Sequence, residues 1–259
     1  MTNRPSGGTP RRRGTVVAAC LLLASAQAVA RDETAGRLEI GLETGAVGIS
    51  RNDARIPGDT GTDIDIAALT GSGPRPYARL GAHWHIDDRH SLHVVFAPLE
   101  INDTDRLNRA TDFAGESFPA GRTEATYRFD AYKLTYRYTF ADRGRWRWGV
   151  GFTGLVRDAE IELRQGASRA SDDDVGFVPA LHVHGRYRLG DRWAFELDAD
   201  GLAGGPGRLI DLALTLEHEL GRRWQVGAGY RTLEGGADTD DVFNFAWLNY
   251  ALIEARYRF

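Results

Sequence analysis

Sulfur and lysine are nearly missing from this chain: Cys20, Met1 and Lys133 are its only cysteine, methionine and lysine. A lone cysteine excludes an internal disulfide and a multi-thiolate metal site. Beyond the first thirty residues there is no run of about 18 apolar residues, which excludes a transmembrane helix. Any membrane crossing must then be made by a closed barrel, since no other fold satisfies its own backbone in hydrocarbon. Nearly every cation is arginine, which a compositional bias also enriching alanine and glycine explains without a functional cause.

The amino-terminal thirty residues read as a secretory signal. Arg11, Arg12 and Arg13 precede an apolar run from Val16 to Leu23, and Ala28-Val29-Ala30 supplies a small-residue cleavage pattern. The expected division is a cleaved signal over 1–30 and one barrel domain over 31–259, with Cys20 leaving with the signal. A lipoprotein reading of Val17-Ala18-Ala19-Cys20 would leave an apolar core of only about four residues, against the roughly 7 to 15 a signal needs. The signal carries four arginines and no acids, so its removal takes the formal charge from -4 to about -8. An acidic chain of this kind is not expected to bind nucleic acid.

The positive signal is alternation. Between Phe243 and Phe259, the residues Phe243, Phe245, Trp247, Ala251, Ile253, Ala255, Tyr257 and Phe259 share one parity, while Asn244, Glu254, Arg256 and Arg258 fall on the other. One strand face suits lipid and the other water. This last strand resembles that of bacterial outer-membrane β-barrel proteins, with aromatics at Phe259 and Tyr257 and alternate hydrophobics such as Ile253 before them. The resemblance implies that Phe259, Tyr257 and Ile253 form the signal read by the outer-membrane assembly machinery. It also implies residence in the outer membrane, among its lipids and lipopolysaccharide.

Period-two runs bounded by turn residues predict ten strands near 37–51, 75–87, 91–101, 124–140, 146–164, 177–189, 193–203, 208–220, 224–234 and 243–259. Short connections alternate with longer ones at 52–74, 102–123, 165–176 and 235–242, as in an up-and-down barrel with tight inner turns and longer outer loops. The expected fold is therefore all-β, a transmembrane antiparallel up-and-down barrel of ten strands. Eight remain possible, because the alternation over 91–101 is weak. Trp84, Trp146, Trp148, Trp193 and Trp224 all fall near short turns, as an interfacial girdle requires. The lipid-facing sets, such as Leu92, Val94 and Phe96 or Ile210, Leu212, Leu214 and Leu216, carry no charge at mid-strand, with His218 the one awkward member.

The opposite parity is heavily charged. A three-residue turn at 190–192 sets Leu189 opposite Trp193, so that Arg186 faces Glu196, His184 faces Asp198 and His182 faces Asp200. With Arg231, Glu254 and Arg256 these six are expected to form a lumenal ion-pair network, since unpaired charge in low dielectric is costly. Two imidazoles and two carboxylates also suit zinc, but the pattern offers no dedicated third histidine nearby, and neither a metal nor a cofactor is assigned. Inward glycines Gly41, Gly45, Gly149, Gly151, Gly227 and Gly229 free volume that could leave a narrow path.

No catalytic constellation stands out. Ten strands match the omptin surface proteases, whose sites use Asp pairs and an Asp-His dyad, yet the long loops here carry Asp172, Asp173, Asp174, Asp238, Asp240 and Asp241 without a histidine. A lipid A deacylase would need His-x-Ser on a strand, and none occurs. The acidic runs could take calcium, though such runs are ordinarily solvated. The expectation is a monomeric, non-enzymatic barrel with a charged lumen, structural or forming a narrow pore for ions or small solutes. A surface binding or adhesion module acting through the long outer loops is the alternative, ahead of an outer-membrane hydrolase acting on lipid or peptide and of a soluble ligand-binding barrel.

Overall fold

The computed structural model describes residues 37–204 and 207–259, so the expected signal over 1–30 lies outside the described residues. In chain order the elements are β1 (Leu38–Arg55), β2 (Ile64–Asp65), α1 (Ile66–Thr70), β3 (Arg75–His85), β4 (His90–Ala97), β5 (Glu100–Leu107), β6 (Thr111–Phe113) and β7 (Glu116–Phe118). They continue with β8 (Gly121–Arg143), β9 (Trp146–Gln165), β10 (Ser168–Arg188), β11 (Trp193–Gly204), β12 (Gly207–Leu220), β13 (Trp224–Asp238) and β14 (Phe243–Arg258). Successive wall strands pair antiparallel, and β14 closes on β1 from Arg258 opposite Glu39 to Phe243 opposite Arg55. Because β4 and β5 both lie along β8 as two halves of one broken strand, the closed wall has ten strands.

All ten predicted strands are present, and the outer connections are more structured than the sequence suggested. The stretch 165–176, expected as a loop, is instead the continuation of β9 and β10 to a two-residue turn at Gly166-Ala167, where Gly166 has φ 61°. Ion pairs between these two strands, Arg157 with Asp174 and Arg169 with Glu162, replace the apolar alternation by which strands were recognised. At the opposite end the turns are tight. The Asp87 carboxylate accepts the N–H groups of Arg89 and His90, both at 2.8 Å, and these bonds hold it below the usual carboxylate range.

Outward-facing side chains make a belt around the wall. Leu80, Val94, Leu134, Phe152, Leu181, Leu214 and Ile253 are all exposed, Phe152 by 66%. A contiguous apolar belt on this scale far exceeds the patches that water-soluble monomers expose, and suits a hydrocarbon surround. Aromatics collect at the tight-turn end: Trp146 stacks on Trp148 at 5.6 Å, and Trp224 meets Tyr257 edge-on at 4.9 Å. His218 lies in that ring against Trp193, centroids 4.3 Å apart, which accounts for its outward position.

The expected outer loops turn inward and close the mouth. Asp65 caps α1 by accepting from the Ala68 N–H at 2.9 Å, and the helix buries Ile66 and Leu69. The β6–β7 hairpin turns at Ala114-Gly115, with φ 49° and 82°, and buries Phe113 and Phe118 completely. These four side chains pack with Tyr127, Ile161 and Leu163 of the wall as one apolar cluster. Phe113→Ala should cost about 3–5 kcal/mol for a fully buried aromatic. Limited trypsin digestion at Arg109 and Arg122 would show it, the variant being cut while the wild-type hairpin resists; equal resistance would mean that the mouth is not held by this cluster.

Candidate functional site in the barrel lumen

Alternation puts one residue in two of every wall strand inside, and over the inner half of the barrel many of those residues bear ionisable side chains. Asp211 on β12 sits at the centre, 3% exposed. Its carboxylate accepts from Arg231 Nη1 at 2.6 Å and Lys133 Nζ at 2.9 Å, with Arg79 Nη2 at 3.6 Å. Arg231 reaches across to Glu43 on β1 at 2.9 Å, and Glu43 also accepts from the Tyr77 hydroxyl at 3.0 Å. Lys133 pairs in addition with Asp200, which accepts from Thr153 Oγ1 at 2.6 Å and lies 2.9 Å from His182 Nδ1. Three cations and three carboxylates thus cancel in one layer, tying together β1, β3, β8, β11, β12 and β13.

A second layer lies nearer the tight turns. Arg256 on β14 bridges Glu196 and Glu217, each at 3.0 Å, and Glu254 at 2.8 Å. Arg186 takes the other oxygen of Glu217 at 3.2 Å, and His184 Nε2 lies 3.4 Å from Glu196. At the rim, Arg258 and His85 flank Glu39 at 2.7 and 3.4 Å.

The backbone register over β10 and β11 pairs Arg186 with Glu196, His184 with Asp198 and His182 with Asp200. The side chains regroup diagonally. Only His182 and Asp200 meet as direct neighbours, while Glu196 turns to His184 and Arg256, and Arg186 crosses to β12. Arg231 and Glu254 also lie inside, but in different layers. Tyr257 and Phe259 stack edge-on at 5.0 Å at the tight-turn end, and Ile253 faces outward, 57% exposed. Asp211, Lys133, Arg79 and Glu43 share the lumenal parity of their strands. Glu43 and Arg79 are register partners on adjacent strands, 3.8 Å apart, and Arg231 reaches Asp211 from the neighbouring strand, whereas Lys133 and Arg79 reach Asp211 from across the barrel, where no pairing rule for adjacent strands applies.

The inward glycines do not hold a path open. A Cβ on Gly41 would lie 3.3 Å from the Arg256 stem, one on Gly149 3.0 Å from Arg137, and one on Gly227 2.8 Å from Glu254. Gly41 and Gly149 thus supply room for arginine stems, whereas Gly45, Gly151 and Gly229 lie against backbone carbonyls of the neighbouring strand. The ligand atoms of His182, Asp198 and Asp200 are close enough together for a metal, but Lys133 already neutralises Asp200 from the adjoining position. Glu39, His83 and His85 form a similar group whose carboxylate is taken by Arg258. On the outer hairpin, burial together with Asp173 and Asp174 holds Asp172 above the usual carboxylate range.

Beyond the Asp211 layer the interior changes character. Val47, Ile49, Leu99, Ile101, Leu248 and Leu252 fill the lumen, joined by Ala131, Leu155 and Leu209. The sequence carries the signal for this as apolar residues on both parities, in Trp247 to Ile253 most plainly.

No protein-family model matches the chain, and no curated protein matches it. Among solved structures, the outer-membrane protease OmpT of Escherichia coli aligns with a TM-score of 0.52 at 9% identity, over 89% of this chain and 99% of that one. The fold is that of the bacterial outer-membrane β-barrels. Two further barrels align with TM-scores of 0.38: Ail, the attachment invasion locus protein of Yersinia pestis, at 9% identity over 86% of this chain and 99% of its own, and Neisserial surface protein A, at 11% over 88% and 100%.

The layer makes a direct energetic prediction. Asp211→Ala leaves three buried cations to share the two carboxylates of Glu43 and Asp200, and should cost about 3–5 kcal/mol. Asp53→Ala, which removes an exposed partner of Arg51, should cost ~0–1 kcal/mol. Urea unfolding in lipid vesicles separates the two, and similar losses for both would show that the layer does not hold the wall.

Proposed function

We propose that this protein is a sealed structural barrel of the outer membrane rather than an open pore. The observation that carries the reading is the neutral layer around Asp211. Cations from β3, β8 and β13 converge on one carboxylate in the middle of the lumen, so a solute would have to break several buried pairs at once. The cavity beside it, lined by Glu43, Arg79, Lys133 and Arg256 among others, has a volume of only about 90 Å³. The apolar half and the mouth cluster add a second, dry barrier.

Residence in the outer membrane, insertion as a monomer, contact with outer-membrane lipids and lipopolysaccharide, and handling by the outer-membrane assembly machinery belong to the same proposal. The exposed belt, the aromatic ring and the closing strand β14 support them. A role in surface binding would rest on the β9–β10 hairpin, because the other long connections fold into the mouth. A hydrolase is not proposed: the outer carboxylates have no imidazole among them.

Single-channel recording of the purified full chain in a planar bilayer tests the seal. The wild type should give no discrete steps. Lys133→Ala combined with Arg231→Ala, in which two of the three bridging cations are removed, should admit ion current if the mutant barrel still shifts its mobility on heating. Steady salt-dependent steps from the wild type would reject the sealed reading.

A further inference from the structure

One part of the wall is incomplete. The pairing of β10 with β11 runs only from Arg188 opposite Ala194 to Leu181 opposite Gly201. Leu202, Ala203 and Gly204 pair with β12 alone, while β10 continues from Ala180 back to Ser168 with β9 as its sole wall partner among the described residues. A gap therefore opens beside Ala180, between the free edge of β10 and the end of the β11–β12 hairpin.

Behind the gap lies a cavity of about 370 Å³, within the roughly 300–1,000 Å³ range of small-molecule sites. Its inner wall includes Tyr127, Phe129, Leu155, Val178, Leu209 and Leu233. Phe177 and Pro179 stand at its opening and face outward, Phe177 69% exposed, and Ile210 continues the belt on the far side. The mouth thus adjoins the hydrocarbon surface at its outer boundary.

The two arginines at the cavity are already neutralised. Arg157 pairs with Asp174, and Arg208 pairs with Glu234 at 2.5 Å while lying over the Phe245 ring. No free charge is left to select an ionic ligand, so recognition inside must be apolar. The free β10 edge adds a requirement for polarity outside, since N–H and C=O groups pointing into a gap cannot be left bare against hydrocarbon.

We infer that this cavity is a binding site for the hydrocarbon chain of an outer-leaflet amphiphile, which enters sideways through the gap between β10 and the β11–β12 hairpin. The chain fills the space behind Phe177 and Leu209, and the ester or amide groups of the amphiphile meet the unpaired edge of β10 at the membrane boundary. The site is independent of the ion-paired lumen, and would stand if that lumen proved to conduct.

The test uses the full chain in detergent, with cis-parinaric acid as a fluorescent chain and laurate as its competitor. Saturable binding is expected, reversed by laurate and unaffected by acetate, which has the same head group without a chain. Leu202→Trp, at the cavity mouth, should weaken binding by about tenfold or more, whereas Leu214→Trp, in the exposed belt on β12, should not. Gly204→Phe is the second blocking variant, because a side chain there meets nothing within 4 Å of its first carbon. Heat-modifiable mobility reports folding for each. Non-saturable uptake, or equal affinity in the wild type and a folded blocking variant, would overturn the assignment.

Discussion

The carboxylate of Asp211 is the constraint on which the inner half of this barrel depends. A ten-stranded wall encloses too little space for bulk water, yet the inward positions carry ionised groups on most strands. Such groups stay ionised only if each meets an opposite charge, and Asp211 does this for three cations at once. Glu43 and Asp200 complete the balance, so the layer buries charge without burying net charge. The glycines then acquire a different meaning from the one their small size suggests. At Gly41 and Gly149 the stems of Arg256 and Arg137 cross the space that a side chain would take, and at Gly227 Glu254 does so.

The sealing proposed for the lumen rests on two unlike means in one tube. Toward the tight turns, long ionic side chains reach across to one another. Toward the outer end, the strands carry apolar residues on both faces, and the interior resembles the core of a water-soluble protein. Such a core cannot end open to water, and α1 with the β6–β7 hairpin provides the cover. The gap in the wall beside β10 occurs in the apolar half, where the inner lining is of the same chemistry as the belt outside.

The sequence made the wall legible because the apolar outer belt imposes a strict rule on one face of every strand. A two-residue period with no mid-strand charge marks β8, β12 and β14 without ambiguity, and hairpin geometry then fixes the backbone register of His182, His184 and Arg186. Side-chain partners followed a different rule. Arg186 reaches Glu217 and Arg256 reaches Glu196 because long side chains in a narrow tube choose the nearest opposite charge in space, whichever strand bears it. The apolar outer half was hidden by the same alternation that revealed the strands: Leu248, Tyr250 and Leu252 break the polar parity, and read singly they look like noise. The extension of β9 and β10 through Asp172, Asp173 and Asp174 was hidden because charge pairing between strands leaves no hydrophobic period.

Closure of the lumen by the Asp211 layer can be probed from both sides of the membrane. The most direct test places a cysteine at Ala213, which is inward-facing and 4% exposed, in a chain whose Cys20 is replaced by alanine, and applies a membrane-impermeant thiol reagent to each side of reconstituted vesicles in turn. A sealed lumen gives no labelling from either side while the barrel remains folded, with a cysteine at exposed Arg169 labelled as the positive control. Rapid labelling of the Ala213→Cys protein in an intact barrel would mean that water and solutes reach the layer, and would contradict closure.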